Sequence, residues 1–182
     1  MNKSVKPVHG HAFFTLSYDE TFSQILIFDY YDPDQFYYSL LHDERAYSRE
    51  MRNLLASMNE LLKQEEVMIN GERVEVEALT VNLDFRGEPE HPTLTFYIEF
   101  RGKLKRGGEN TYECRYESGI AEYDYEVYWI LPRGSKILEV ITSTEYEVYG
   151  DRFLVMWARS GDRYNGYEKI KFILPEQLQY VS

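Results

Sequence analysis

The chain has 182 residues, a net charge of −11 and a pI near 4.9, so its field repels nucleic-acid phosphates and anionic membrane surfaces. A single cysteine, Cys114, excludes an internal disulfide and a cysteine-based zinc site. No run reaches the length of a transmembrane helix and the first residues form no apolar signal-peptide core. A soluble, cytoplasmic chain is the expectation, with no membrane insertion and no nucleic-acid partner.

The length suits one domain over 1–182 with a sizeable core. Alternation predicts a hairpin over 11–30, its strands 11–18 and 23–30 joined at Asp19 and Glu20. A helix follows over 33–64. Asp32-Pro33-Asp34-Gln35 reads as its start, with Asp32 as N-cap, and the helix either runs on or breaks near His42. Tyr47, Met51, Leu54, Met58 and Leu61 repeat at 4-3-4-3, widened by Leu55 and Leu62. Arg49, Arg52, Asn53, Asn59, Glu60 and Lys63 fall on or near the other face. A stripe this wide must be buried, and a sheet has to bury it.

Antiparallel strands fill 66–174. Asn70-Gly71 is a turn signal. Over 72–85, Val74 and Val76 set one parity while Leu79, Val81, Leu83 and Phe85 set the other. A period-2 strand changes face only through an inserted residue, which predicts a β-bulge near Ala78. Segments 93–100 and 121–131 alternate cleanly, 111–117 less so. Further strands are expected over 136–142, 144–149, 152–158 and 167–174, with Gly150-Asp151 a tight turn. Phe153 to Trp157 is apolar at both parities, as in a strand covered on both faces. The fold class is α+β, mainly antiparallel β, with two packed sheets as a β-sandwich and one long inserted helix.

From Ala121 onward, the order strand, Leu131-Pro132-Arg133-Gly134-Ser135-Lys136, strand, hairpin, strand resembles the β-sandwich modules of uncharacterised archaeal proteins. The resemblance implies a sandwich and brings no assigned chemistry. Abundant aromatics, many glutamates and few glutamines tilt the composition toward a heat-stable source.

Two sets of residues are candidate sites. His9-Gly10-His11 places two imidazoles within reach of one metal, although zinc needs three or four ligands and nothing in the sequence brings the other histidines near. Glu122, Asp124, Glu126 and Tyr128 share one face of a strand and form a candidate binding ladder. Lys169 and Lys171 are its expected cross-strand partners. Asp29, Asp32 and Asp34 lack the glycine and distal glutamate of a calcium loop. The basic run from Arg101 to Arg106 reads as a solvated strand end and loop. No P-loop, GxSxG or GxGxxG occurs, Cys114 has no local histidine, and no catalytic residue and no cofactor are expected.

These readings favour a non-enzymatic binding or assembly module that associates with itself or another protein. Tyr97, Tyr128 and Tyr149 lie at polar parity and would expose phenol rings on a sheet face. Two alternatives are an apolar small-ligand fold with a cavity between helix and sheet, and a carboxylate-based, glycoside-type hydrolase. The hydrolase needs a cleft holding two acids with pKa values pushed apart.

Overall fold

Side-chain alternation along the first two strands sets the centre of the molecule. The computed structural model describes residues 4–17 and 19–176. Strands β1 (Lys6–Leu16) and β2 (Thr21–Tyr31) pair antiparallel, and Tyr18 of the expected hairpin lies outside the described residues. Ala12, Phe14 and Leu16 turn inward and are buried, while His9, His11 and Phe13 face the other way. The hairpin is longer than 11–30, with Lys6 and Pro7 pairing with Tyr31 and Tyr30, and β1 has a second partner. β9 (Asp124–Ile130) runs parallel beside it, from His9 opposite Asp124 to Thr15 opposite Ile130.

Two helices follow among the described residues: α1 (Phe36–Leu40) and α2 (Glu44–Leu62). Of the two courses open to the 33–64 segment, the structure has the break near His42: α1 and α2 separate at Leu41–Asp43, where Asp43 caps α2, its Oδ1 accepting from the N–H groups of Arg45 and Ala46 at 3.0 Å each. Gln35, in the left-handed region, flanks α1 without a side-chain cap. Asp32 is buried, and its Oδ2 accepts from the Tyr37 N–H at 2.9 Å.

The order then runs β3 (Glu66–Ile69), β4 (Glu72–Arg73), β5 (Val76–Phe85), β6 (Pro92–Arg101) and β7 (Glu109–Arg115). After the short β8 (Gly119–Ile120) and then β9 come β10 (Lys136–Ile141), β11 (Glu145–Tyr149) and β12 (Phe153–Ala158). β13 (Arg163–Tyr164) pairs with β8, and β14 (Tyr167–Ile173) is the last strand. A seven-stranded sheet has the order β11-β12-β9-β1-β2-β6-β5, and a five-stranded sheet the order β10-β14-β7-β3-β4. The fold is α+β and mostly β, and among the described strands every pairing is antiparallel except β1 with β9.

One face of the seven-stranded sheet supplies both hydrophobic clusters. Phe14, Phe22, Trp129, Leu154 and Met156 meet Ile69, Tyr112, Ile170 and Phe172 of the smaller sheet. Leu94, Phe96 and Ile98 of the same face meet Leu54, Met58 and Leu62 of α2 and Tyr37 of α1. The helix stripe is rotated from its expected position: Leu61 is 56% exposed and Leu62 is buried.

The β-bulge is where parity places it, with the β5–β6 register slipping between Ala78 and Thr80. Leu79 is left outside, exposed. Asn59 serves this bulge and so sits on the sheet side of α2, contrary to its expected place on the polar face. Its Oδ1 accepts from the Ala78 N–H at 2.9 Å and its Nδ2 donates to the Ala78 carbonyl at 3.0 Å, satisfying the backbone groups that a bulge removes from the ladder.

The other face of the seven-stranded sheet has no layer on it among the described residues. β12 is therefore covered on one side only. Leu154, Met156 and Ala158 are buried, whereas Phe153, Val155 and Trp157 are half-buried on the open face.

Candidate functional site

Where the two sheets part, a cleft of about 390 Å³ opens between them. The large sheet contributes Ala12 and Phe14 of β1, Gln24 of β2, and Tyr125 and Val127 of β9. The small sheet contributes Tyr112 and Cys114 of β7 and Glu168 of β14. Glu65, three residues beyond α2, and the segment 120–123 complete the lining with Tyr116 and Tyr164.

Local sequence explains each placement. On β14, Glu168 shares its parity with the buried Ile170 and Phe172, so a carboxylate stands at a position otherwise kept apolar. Gln24 likewise stands between Phe22 and Leu26 on the inward parity of β2. Gly166 brings the chain close enough for the Tyr116 N–H to donate to its carbonyl at 2.9 Å. A Cβ at Gly166, where φ is +75°, would lie 2.1 Å from the Tyr116 carbonyl oxygen, so this approach requires glycine.

Glu65 and Glu168 are both partly accessible, and they lie in a cleft lined by five tyrosines. Burial, reinforced by Glu168, pushes the Glu65 carboxyl up to about 7, against a weaker downward pull from the Cys114 thiol, which donates to Glu65 Oε2 at 3.9 Å. Glu168 is also raised, by burial, although Tyr116 Oη donates to its Oε1 at 2.9 Å and favours the anion. Burial and then Glu65 push the Cys114 thiol up to about 12, so it is an inert thiol at neutral pH. Among the described residues, no lysine, arginine or histidine lines the cleft.

The residues singled out from sequence lie elsewhere, with one exception. Glu122 is in the bend before β9 and lines the cleft. Asp124, Glu126 and Tyr128 continue along β9 on the open face of the large sheet, so the ladder is split. Lys169 and Lys171 do not pair with it. They belong to the small sheet, where they meet Glu139 at 3.5 Å and Glu109 at 2.6 Å. Tyr128 stacks on Phe13 with ring centroids 4.8 Å apart, and Asp124 Oδ1 accepts from the Ser160 N–H at 2.8 Å.

Glu126 is joined instead by the two histidines. His9 Nε2 and His11 Nε2 each lie 3.2 Å from the same oxygen, Glu126 Oε2. Asp29 of β2, opposite His9, completes the group. The pairings of β1 with β2 and with β9 make this assembly, which spacing along the chain does not show. The basic run ends in ion pairs: Arg101 with Asp19, Lys103 with Glu72, and Arg106 with Glu20.

No protein-family model matches the chain, and no curated protein matches it by sequence. Among solved structures, similarity extends to native leukotriene A4 hydrolase from Saccharomyces cerevisiae, at 10% identity and a TM-score of 0.34 over 93% of this chain. A second structure of the native yeast enzyme gives 9% and 0.36 over 94%, and its complex with bestatin 10% and 0.30 over 94%. The chain spans 29% of the length of each of these proteins. Similarity at this level identifies no activity for the chain.

Proposed function

We propose that this chain is a non-enzymatic binding module that holds a small amine or quaternary ammonium ligand in the cleft between its sheets. The observation that carries the reading is a pair of recessed carboxylates, Glu65 and Glu168, in a tyrosine-walled cleft lined by no basic side chain among the described residues. A carboxylate withdrawn from water must be protonated or matched by a cation. An organic cation gains ion pairing from both carboxylates and attraction from the faces of phenol rings. The volume falls at the small end of ligand cavities, which run from roughly 300 to 1,000 Å³.

The architecture fits this role as an incomplete β-sandwich, its sheets sharing one core at Trp129 and Phe172 and separating at Glu65 and Glu168. The cavity differs from an apolar pocket between helix and sheet, since α2 fills its side of the sheet with Leu54, Met58 and Leu62. Hydrolysis by paired carboxylates is less well supported. That chemistry needs the pKa values of the two acids pushed apart, whereas burial shifts both in the same direction here.

A thermal-shift panel of small primary and quaternary amines, run beside neutral and anionic compounds of matched size, tests the reading. Cations should raise the melting temperature of the native chain and fail to do so in the Glu65→Gln/Glu168→Gln variant. Equal shifts from neutral compounds, or shifts retained in the double variant, would refute it.

A further inference from the structure

We propose that His9, His11, Glu126 and Asp29 form a binding site for a divalent transition metal, zinc(II) being the best match, on the open face of the seven-stranded sheet. This site lies on the opposite face of that sheet from the inward-facing residues of the cleft, and stands independently of the reading given for it.

Three adjacent strands build the site. His9 and His11 are two residues apart on β1 and so project to the same face, their ring centroids 4.4 Å apart. Register then places Glu126 of β9 opposite His11 and Asp29 of β2 opposite His9. One ligand atom from each of His9, His11 and Asp29 lies within 4.8 Å of the others, and Glu126 Oε2 is 3.2 Å from both imidazole Nε2 atoms.

Those separations suit a shared ion. Ligand atoms about 2.0 to 2.1 Å from a tetrahedral zinc stand about 3.3 Å apart. The distances from Glu126 Oε2 to the two imidazole nitrogens already have that value, and Asp29 has to move closer to join them as a fourth ligand. Hydrogen bonding accounts poorly for the same arrangement. Glu126 Oε2 is buried and makes no aligned hydrogen bond, although two ring nitrogens face it, and His9 Nδ1 is buried without a partner as well. A buried polar atom left this way is costly, and coordination would satisfy the oxygen. Two imidazoles with two carboxylates make a mixed nitrogen and oxygen set that suits zinc and its first-row neighbours better than calcium or magnesium.

Outer contacts hold Asp29 in place. Thr93 Oγ1 donates to its Oδ1 at 2.6 Å and Arg86 Nε donates to the same oxygen at 3.2 Å. Both bonds fall on Oδ1, so Oδ2 can turn to the metal, and such supporting contacts commonly orient ligating carboxylates.

Titration calorimetry with zinc chloride on the full chain near neutral pH tests the site. One equivalent should bind with a Kd of about 10 µM or tighter. Cobalt(II) should give visible d–d bands of a site with nitrogen and oxygen ligands. Glu126→Gln, nearly isosteric, and His11→Ala should each weaken binding by about tenfold or more. His42→Ala/His91→Ala, which removes the two histidines outside the group, should leave it unchanged. Far-ultraviolet circular dichroism checks that each variant is folded, and Glu126→Gln keeps the test decisive if His11→Ala is not. Absence of zinc binding to the native chain, or affinity unchanged in folded Glu126→Gln, would overturn the assignment.

Discussion

Replacing Glu65 with glutamine should change the pH dependence of stability more than stability itself. The native carboxyl titrates at about 7 against an ordinary value of 4.5, so between these values the folded state holds a proton that the unfolded chain has released. Stability from this group is therefore complete below about pH 4.5 and is lost as pH rises through about 7. A shift of that size corresponds to at most ~3 kcal/mol at 1.36 kcal/mol per pH unit, and about 2 kcal/mol after allowance for water in the cleft. Glu65→Gln removes this slope. Its stability relative to the native chain should improve by about 2 kcal/mol between about pH 4.5 and about pH 8, a gain of roughly 4 to 8 °C in relative Tm for a chain of this size. Urea unfolding followed by fluorescence of the buried Trp129 measures both proteins across that range. Parallel curves of stability against pH would refute the reasoning, because they would mean that Glu65 titrates alike in the folded and unfolded states.

Further expectations concern the fold around the cleft. Asn59→Ala strips both bonds from the bulge at Ala78 and should cost ~2 kcal/mol, read as a lower urea midpoint with an unchanged slope. Gly166→Ala and Gly150→Ala both place a side chain at positive φ, but only the first meets backbone, 2.1 Å from Tyr116 O, while nothing lies within 4 Å of the second. The first should cost about 3 kcal/mol or more and the second about 1 kcal/mol, with thermal melts of both variants as the check.

Local periodicity made much of this fold legible. The parity change between Val76 and Leu79 encodes the bulge, and the alternation of Leu94, Phe96, Ile98 and Phe100 encodes a strand with one buried face. Leu61 and Leu62 illustrate the limit: heptad spacing fixes the stripe only to within a position, and packing on β5 selected Leu62. Asn59 reads as a surface residue until the bulge exposes backbone groups for it to serve.

The candidate sites divide in the same way. His9 and His11 are visible as a pair, but Glu126 and Asp29 join them through strand register, which is long-range information. The parallel β1–β9 pair in particular joins segments more than a hundred residues apart. Glu168 did leave a signal, as a carboxylate at the apolar parity of the last strand beside Ile170 and Phe172. Glu65 left none, since it sits between a helix and a strand where no period applies. Charge pairing of the 122–126 ladder with Lys169 and Lys171 failed because adjacency within one sheet was assumed for strands that belong to two.

Binding of choline, compared with its uncharged carbon isostere 3,3-dimethylbutan-1-ol, tests the central claim most directly. In titration calorimetry choline should bind the native chain, more tightly at about pH 8 than at about pH 6 because Glu65 ionises between them, and the neutral isostere should bind at least about tenfold more weakly. Equal affinity for the two compounds, with no dependence on pH or on Glu168→Gln, would contradict a cleft whose carboxylates select a cation.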